Sequence, residues 1–411
     1  MRRSILLATT AGLALSLAAC GGGGTTEETT SAATGETSAA AAGGSIVVWV
    51  DQNREAAVSA AADKFTADTG TAVELVIKNF DDIRAEFAAQ VPTGEGPDIT
   101  VGAHDWLGEF TKNGVVAPVE LGDATADYNE VAIAAFTYKG QVYGLPYALE
   151  NLALIRNADL APDATPATFD EMIAAGQAAG TEFPFLIQMG ENGDPYSMYP
   201  FQTSFGAPVF VQAADGTYTT ELGLGGEPGH AFGTWLGAQG AAGVLDTAIT
   251  YDIVVEKFKN GAVPYIVGGP WMIADFEGMN VAIDPIPSAG GETASPFVGV
   301  QGFYVSAQSE NTILASDFLV NYIGTEEAQT ALYEAGNRPP ALTAAAEAAA
   351  ADPITAGFAA VAATAVPMPS IPEMGSVWAF WGVTEAQIVG GADPITTWDK
   401  MVSDIQGAIG G

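Results

Sequence analysis

Asp105 and Trp106 close the run Gly94-Glu95-Gly96-Pro97-Asp98-Ile99-Thr100-Val101-Gly102-Ala103-His104-Asp105-Trp106. Two glycines and a proline break whatever precedes, and Ile99-Thr100-Val101 reads as a short buried strand running straight into polar and aromatic residues. In an open α/β sheet, ligands bind beyond the carboxyl ends of the strands, so a carboxylate and an indole are delivered where a ligand would sit. Asp105 also has a purely structural use, as N-cap of the helix that follows. With Glu150 or Asp194 it would supply the two carboxylates by which a glycoside hydrolase flanks a glycosidic bond. Other chemistries find few residues. His104 and His230 are the two histidines, far apart in sequence, and Cys20 is the one cysteine, so no zinc or iron–sulfur spacing can be built. An all-oxygen calcium site stays open, though no EF-hand-like loop is visible. There is no Gly-rich loop ending in Lys-Ser/Thr and no Gly-x-Ser-x-Gly elbow; no metal or cofactor is expected.

The elements that must position these residues are legible. Ser45–Val50 reads as a first strand, and Glu55–Asp68 as an Ala-rich helix with Val58, Ala61, Ala62 and Phe65 on one face, stopped by Gly70. Val73–Ile77 reads as a second strand, and Ile83, Phe87 and Val91 repeat at helical spacing before the third. Strand–helix–strand–helix–strand predicts a parallel sheet covered by helices. Further on, Tyr138–Pro146 is hairpin-like, Thr168-Phe169-Asp170-Glu171 is a capping box, and Asp252–Asn260 is a helix ended by Gly261. Val263–Val267 is a strand ending in Gly268-Gly269-Pro270-Trp271, and the Ala-rich residues 341–365 read as helix.

The 411 residues, 48% of them hydrophobic, suffice for two globular domains. A formal net charge of -36 repels nucleic acid and anionic lipid, which excludes nucleic-acid partners and a polybasic membrane anchor. Met1-Arg2-Arg3, the small and apolar run Ser4–Leu17, and Leu17-Ala18-Ala19-Cys20 form an export signal with a small-residue cleavage site. The tetrapeptide is similar to the bacterial lipobox, which implies lipid on Cys20. Residues 1–19 are then the signal and 20–44, rich in Gly, Thr, Ser, Glu and Ala, a flexible tether.

Several landmarks are weak singly but follow one another in one family's order: the first strand with Trp49, Gly94–Asp105, Leu145-Pro146-Tyr147-Ala148-Leu149-Glu150, Asp194-Pro195-Tyr196, Gly269-Pro270-Trp271, Pro296–Val300 and Met368-Pro369-Ser370-Ile371-Pro372-Glu373-Met374. From Ser45 to about Trp398 the chain resembles the maltose/maltodextrin-binding proteins, the solute receptors of ABC sugar importers. The resemblance implies an α/β, two-lobed periplasmic-binding-protein-like fold with a central ligand cleft and three crossings between lobes. One lobe would be 45–149 plus 301–342 and the other 150–300 plus 343–411. The crossings would fall near Glu150, Val298-Gly299-Val300 and Arg338–Leu342.

The resemblance also implies a sugar site. Sugar hydroxyls need charged or planar hydrogen-bonding groups, and C–H faces need flat apolar partners. Asp105, Glu150, Tyr196, Trp271 and Trp378 match family sugar-binding positions, and Asp194 stands where the family has Glu. Asn53 and Arg54 stand where it has an acid and a base, although Asn53 suits helix capping equally well. Any single Trp is as readily core filling; for Trp271, at a strand end after Gly-Gly-Pro, the cleft is favoured. Departures matter for the ligand. The family's acid in the second helix becomes Arg84, its stacking Trp becomes Gly102, and the arginine beside the aspartate becomes Trp106. A Tyr and an Arg near the C-terminal end become Ala379 and Gly382, while Trp381 is extra and offers replacement stacking surface.

The expectation is a receptor exported and lipid-anchored to the outer face of the bacterial cell membrane. It would bind a maltose- or maltodextrin-type oligosaccharide and close by hinge motion. It would then dock, as a monomer, on ABC permease subunits served by a separate ATPase. The alternatives are an exported glycoside hydrolase and a receptor of the same fold for a peptide or other solute.

Overall fold

A computed structural model describes residues 44–163, 165–213 and 218–410, so the signal, the tether and Cys20 lie outside the described residues. Strand β1 (Ser45–Val50) leads into helix α1 (Gln52–Thr69). The helix starts three residues earlier than Glu55, because the Asp51 carboxylate accepts from the Arg54 backbone N–H and caps it; Gly70, at φ +74°, ends it. Strand β2 (Ala72–Ile77), helix α2 (Phe80–Gln90) and strand β3 (Ile99–Ala103) follow. β1 pairs parallel with both β2 and β3, the predicted arrangement. Helix α3 (Leu107–Asn113) comes next, then the long strand β4 (Gly144–Asn151) and strand β5 (Ala153–Asn157).

Helix α4 (Phe169–Ala178) opens on the predicted capping box, with Thr168 Oγ1 accepting from the Glu171 N–H. Helices α5 (Pro195–Thr203) and α6 (Tyr251–Lys259) precede strands β6 (Tyr265–Gly268) and β7 (Val281–Asp284), which flank β5 antiparallel. Strand β8 (Phe297–Ser306) returns to the first sheet and lies between β3 and β4, antiparallel to both. The Ala-rich stretch 341–365 is two helices rather than one, α7 (Thr343–Ala349) and α8 (Pro353–Ala362). Pro353 cannot continue a helix, and Asp352 caps a new one by accepting from the Ile354 N–H. Helices α9 (Met374–Val389) and α10 (Pro394–Gly410) complete the fold.

Apolar burial divides the molecule. One core joins Val48, Phe65, Ile83, Phe87, Val101, Phe110, Phe303 and Ala345; a second joins Phe169, Phe201, Phe232, Phe297, Trp381 and Trp398; a third joins Ile155, Val254, Phe258, Met272 and Phe358. The chain leaves the first core between Ala148 and Leu152, returns between Phe297 and Val300, and leaves again after Ala345. These passages lie side by side. β4 pairs with β8 on one side, and on the other its Leu149 N–H donates to Pro339 O (2.8 Å) while Tyr147 O accepts from Ala341 N (2.9 Å).

Candidate functional site

The carboxyl ends of β1, β3, β4 and β6 deliver Arg54, Asp105, Glu150 and Trp271 respectively. Asp105 does not cap the helix after it. It lies in a short 3-10 turn, His104–Trp106, with no side-chain capping bond. Its carboxylate is buried; Oδ2 accepts from the indole N–H of Trp378 (3.3 Å), and Oδ1 has no partner among the described residues. Burial pushes this carboxyl above the ordinary range, against the pull of Arg84, His104 and the Trp378 bond. Trp378 is half-buried on α9, so this bond joins the first core's sheet to a helix of the second. His104 spans the same gap. The Val300 N–H donates to its Nδ1 (3.0 Å), which fixes the tautomer that leaves Nε2–H to donate to Met368 O (3.0 Å). Burial lowers the His104 pKa, keeping the ring neutral.

A polar chain runs along the passages. Arg54, 2% exposed, bonds through Nε to Tyr147 Oη, through Nη1 to Asp51 and through Nη2 to Gln301 Oε1 (3.3 Å). Gln301 Nε2 donates to Glu150 Oε1 (2.7 Å), and Arg338 Nε donates to Glu150 Oε2 (2.6 Å). Although burial opposes its charge, the Glu150 carboxylate holds the Arg338 guanidinium more firmly protonated than usual. The Arg338 guanidinium carbon lies 5.4 Å from the centre of the Trp271 ring. Trp271 and Tyr196 are half-buried, 6.4 Å apart between ring centres, and the Tyr196 hydroxyl has no partner among the described residues. Asp194 caps α5, accepting from Ser197 N (3.1 Å), Ser197 Oγ (2.8 Å) and the Gln188 amide. Burial raises its pKa.

The sequence-predicted residues therefore divide. Asp105 with Trp378, Tyr196 with Trp271, and Glu150 with Trp271 through Arg338 are brought together. Asn53 is exposed in the first turn of α1. Trp381, expected to add stacking surface, is fully enclosed: its N–H donates to Gln202 Oε1 (3.0 Å), and its ring backs Trp378 at 5.5 Å. Three residues on from Trp378, it faces the second core.

The departures have structural consequences. Trp106 lies over Gly102, where a Cβ would come within 2.5 Å of its indole, and it packs on Phe80 at 5.2 Å between centres. The Trp106 indole thus fills the space over Gly102, largely buried. Arg84 pairs with Glu109 on α3 (2.8 Å from Nε and 2.5 Å from Nη2), so its reversed sign is neutralised locally. At Gly382 a Cβ would lie 2.6 Å from Asn192 O and 3.0 Å from Pro195 Cδ, so the 192–195 turn occupies the space beside Gly382. Sequence reasoning missed Gln301 and Tyr147 and gave Arg338 no binding role.

Comparison with known proteins decides the family. Residues 60–359 match the model of the bacterial extracellular solute-binding proteins. This chain belongs to that family. The solute-binding protein is 27% identical to a maltodextrin-binding protein of Bacillus subtilis over 81% of this chain and 82% of that one. It is 26% identical to a galactooligosaccharide-binding protein of the same organism, covering 97% of this chain and 95% of that one. Its structure superposes on a Thermus thermophilus maltotriose-binding protein bound with maltotriose, with a TM-score of 0.81 and 33% identity, covering 89% of this chain and all of that one. The fold is the two-lobed one of these receptors. Among the described residues no helix is long and apolar enough to cross a membrane, and no group of three or more His, Cys, Asp or Glu is placed to hold a metal.

Proposed function

We propose that this solute-binding protein is the oligosaccharide receptor of an ABC importer, taking a maltooligosaccharide between its lobes. The observation that carries the reading is Asp105: a buried carboxylate with one oxygen unpartnered, beside the half-buried Trp378. An unfilled buried acceptor beside ring faces suits a ligand with hydroxyl donors on its edge and C–H groups on its faces. The ligand set on this reading is Asp105, Glu150, Tyr196, Trp271 and Trp378, with Arg54 and Trp106 shaping the first lobe's wall and Asp194 holding α5. The lobes are 45–149 plus 301–342 and 150–300 plus 343–411, hinged where the chain crosses. The protein acts as a monomer, held to the outer membrane face by lipid on Cys20, and passes its sugar to permease subunits driven by a separate ATPase.

The environment of the carboxylates favours a receptor over a hydrolase. Glu150 already accepts from Gln301 and Arg338, and Asp194 is committed to a helix cap, so neither is a free partner for Asp105 in acid–base chemistry. The relatives named for maltodextrin and for galactooligosaccharide are nearly equal in identity, so the test uses both sugars. Residues 45–411 are titrated with maltose, maltotriose, a longer maltodextrin and galactooligosaccharide, following melting temperature and tryptophan fluorescence and analysing the sugar afterwards. A ligand of the folded state raises the melting temperature. A rise with maltotriose and intact sugar is expected; a rise with galactooligosaccharide alone reassigns the ligand, and cleaved sugar replaces the receptor by the hydrolase.

A further inference from the structure

We infer that Arg338 is a ligand-contacting residue, whose guanidinium reads a pair of neighbouring hydroxyls on the oligosaccharide beside Trp271. This rests on the oligosaccharide reading and adds a residue to it. Asn337, in the left-handed conformation at φ +52°, ends the helix Glu326–Gly336 and turns the chain. The backbone after Arg338 is then pinned to β4 through Pro339 O and Ala341 N. The side chain is over nine-tenths buried, its Nε–H is spent on Glu150, and its charged plane lies by the Trp271 ring.

Neither Nη atom has a hydrogen-bond partner among the described residues. A guanidinium carries five N–H donors in one plane, and the four on Nη call for acceptors once water is excluded. Trp271 can offer only its π-face to a cation. Two parallel N–H groups match two oxygens a short distance apart, the pattern of vicinal hydroxyls. A carboxylate or phosphate would match the fork too, but Glu150 adjoins it and Asp105 also lines the site, so a neutral polyol is favoured over an anion.

The competing explanation is that Arg338 only positions Glu150. A double-mutant cycle separates the two, using Arg338→Met, Glu150→Gln and both together, titrated calorimetrically with maltotriose and with galactooligosaccharide. Whichever sugar the unaltered chain binds carries the cycle. Arg338→Met should weaken binding about tenfold to a hundredfold, and by a similar factor on the Glu150→Gln background. A loss that vanishes on that background shows that Arg338 works through Glu150 alone and overturns the inference, as does unchanged affinity. Should Arg338→Met fail to fold, Arg338→Lys decides, since it keeps a cation opposite Glu150 without the planar fork. Weakened binding supports direct contact, and full affinity overturns it. An unaltered chain that binds neither sugar defeats the oligosaccharide reading itself, a result distinct from the others.

Discussion

At the scale of single residues, the same side-chain types stand in the proposed ligand set and in the framework of the solute-binding protein, and burial separates them. Trp271 is half-buried with one side taken by Arg338, whereas Trp381 is enclosed and bonded to Gln202. Trp271→Ala should weaken sugar binding by roughly 1–3 kcal/mol while the unliganded protein still melts cooperatively. Collapse of the melting transition without any change in affinity would place Trp271 among the core residues instead. Glu385 is a different kind of residue. It is fully buried on α9 with neither carboxyl oxygen partnered among the described residues, and burial, then the charge of Asp194, push its pKa well up. The native state therefore keeps a proton that the unfolded chain loses in the ordinary carboxylate range. Stability is full below that range and falls as pH rises through it. Glu385→Gln removes this titration. The variant should be more stable than the unaltered protein at about pH 8, with a smaller difference at about pH 5, as read by urea unfolding. Parallel stability at both values would mean that Glu385 is not held protonated.

At the scale of elements, close backbone approach decides what side-chain patterns cannot. α9 and the turn before α5 touch through Gly382 and Gly193, and a methyl group at 382 would press on Asn192 O. Gly382→Ala should cost about 1–3 kcal/mol of stability in chemical denaturation, with reduced sugar affinity because Asp194, Tyr196 and Trp378 are carried by the two elements that must part. An Ala variant as stable as the parent would show that the turn is free to move. Between α7 and α8 the sequence itself held the answer. Asp352-Pro353 is a helix start, but a run of alanines on both sides hides it, because propensity summed over a window outweighs one breaker.

At the scale of the whole molecule, two cores meet along β4, β8 and the Arg338 segment, and they touch again where Trp378 meets Asp105 and His104 meets Met368. A ligand would shift such an arrangement only through differential affinity for its two states. Export and anchoring belong to this scale too. Cys20→Ser should move the protein from the membrane fraction to the medium in cell fractionation; unchanged membrane association would remove the lipid anchor from the proposal.

The sequence by itself determined what is local or composition-wide. The β1–α1–β2–α2–β3 order, the Gly70 stop, the Thr168 cap and the delivery of Asp105 to a strand's end follow from periodicity and turn chemistry over a few residues, and the strongly acidic charge from composition. Which carboxylate keeps an unpartnered oxygen among the described residues, which tryptophan stays half-buried and which arginine is spent were decided only by tertiary structure. Asp105 has an unpartnered oxygen, while Glu150 is held by Gln301 and Arg338, residues 151 and 188 positions away in sequence. Trp378 and Trp381 sit three residues apart on one helix, yet one is half-buried against Asp105 and the other fills a core. Their difference is set by what packs against each face, and those partners come from segments that no local pattern joins.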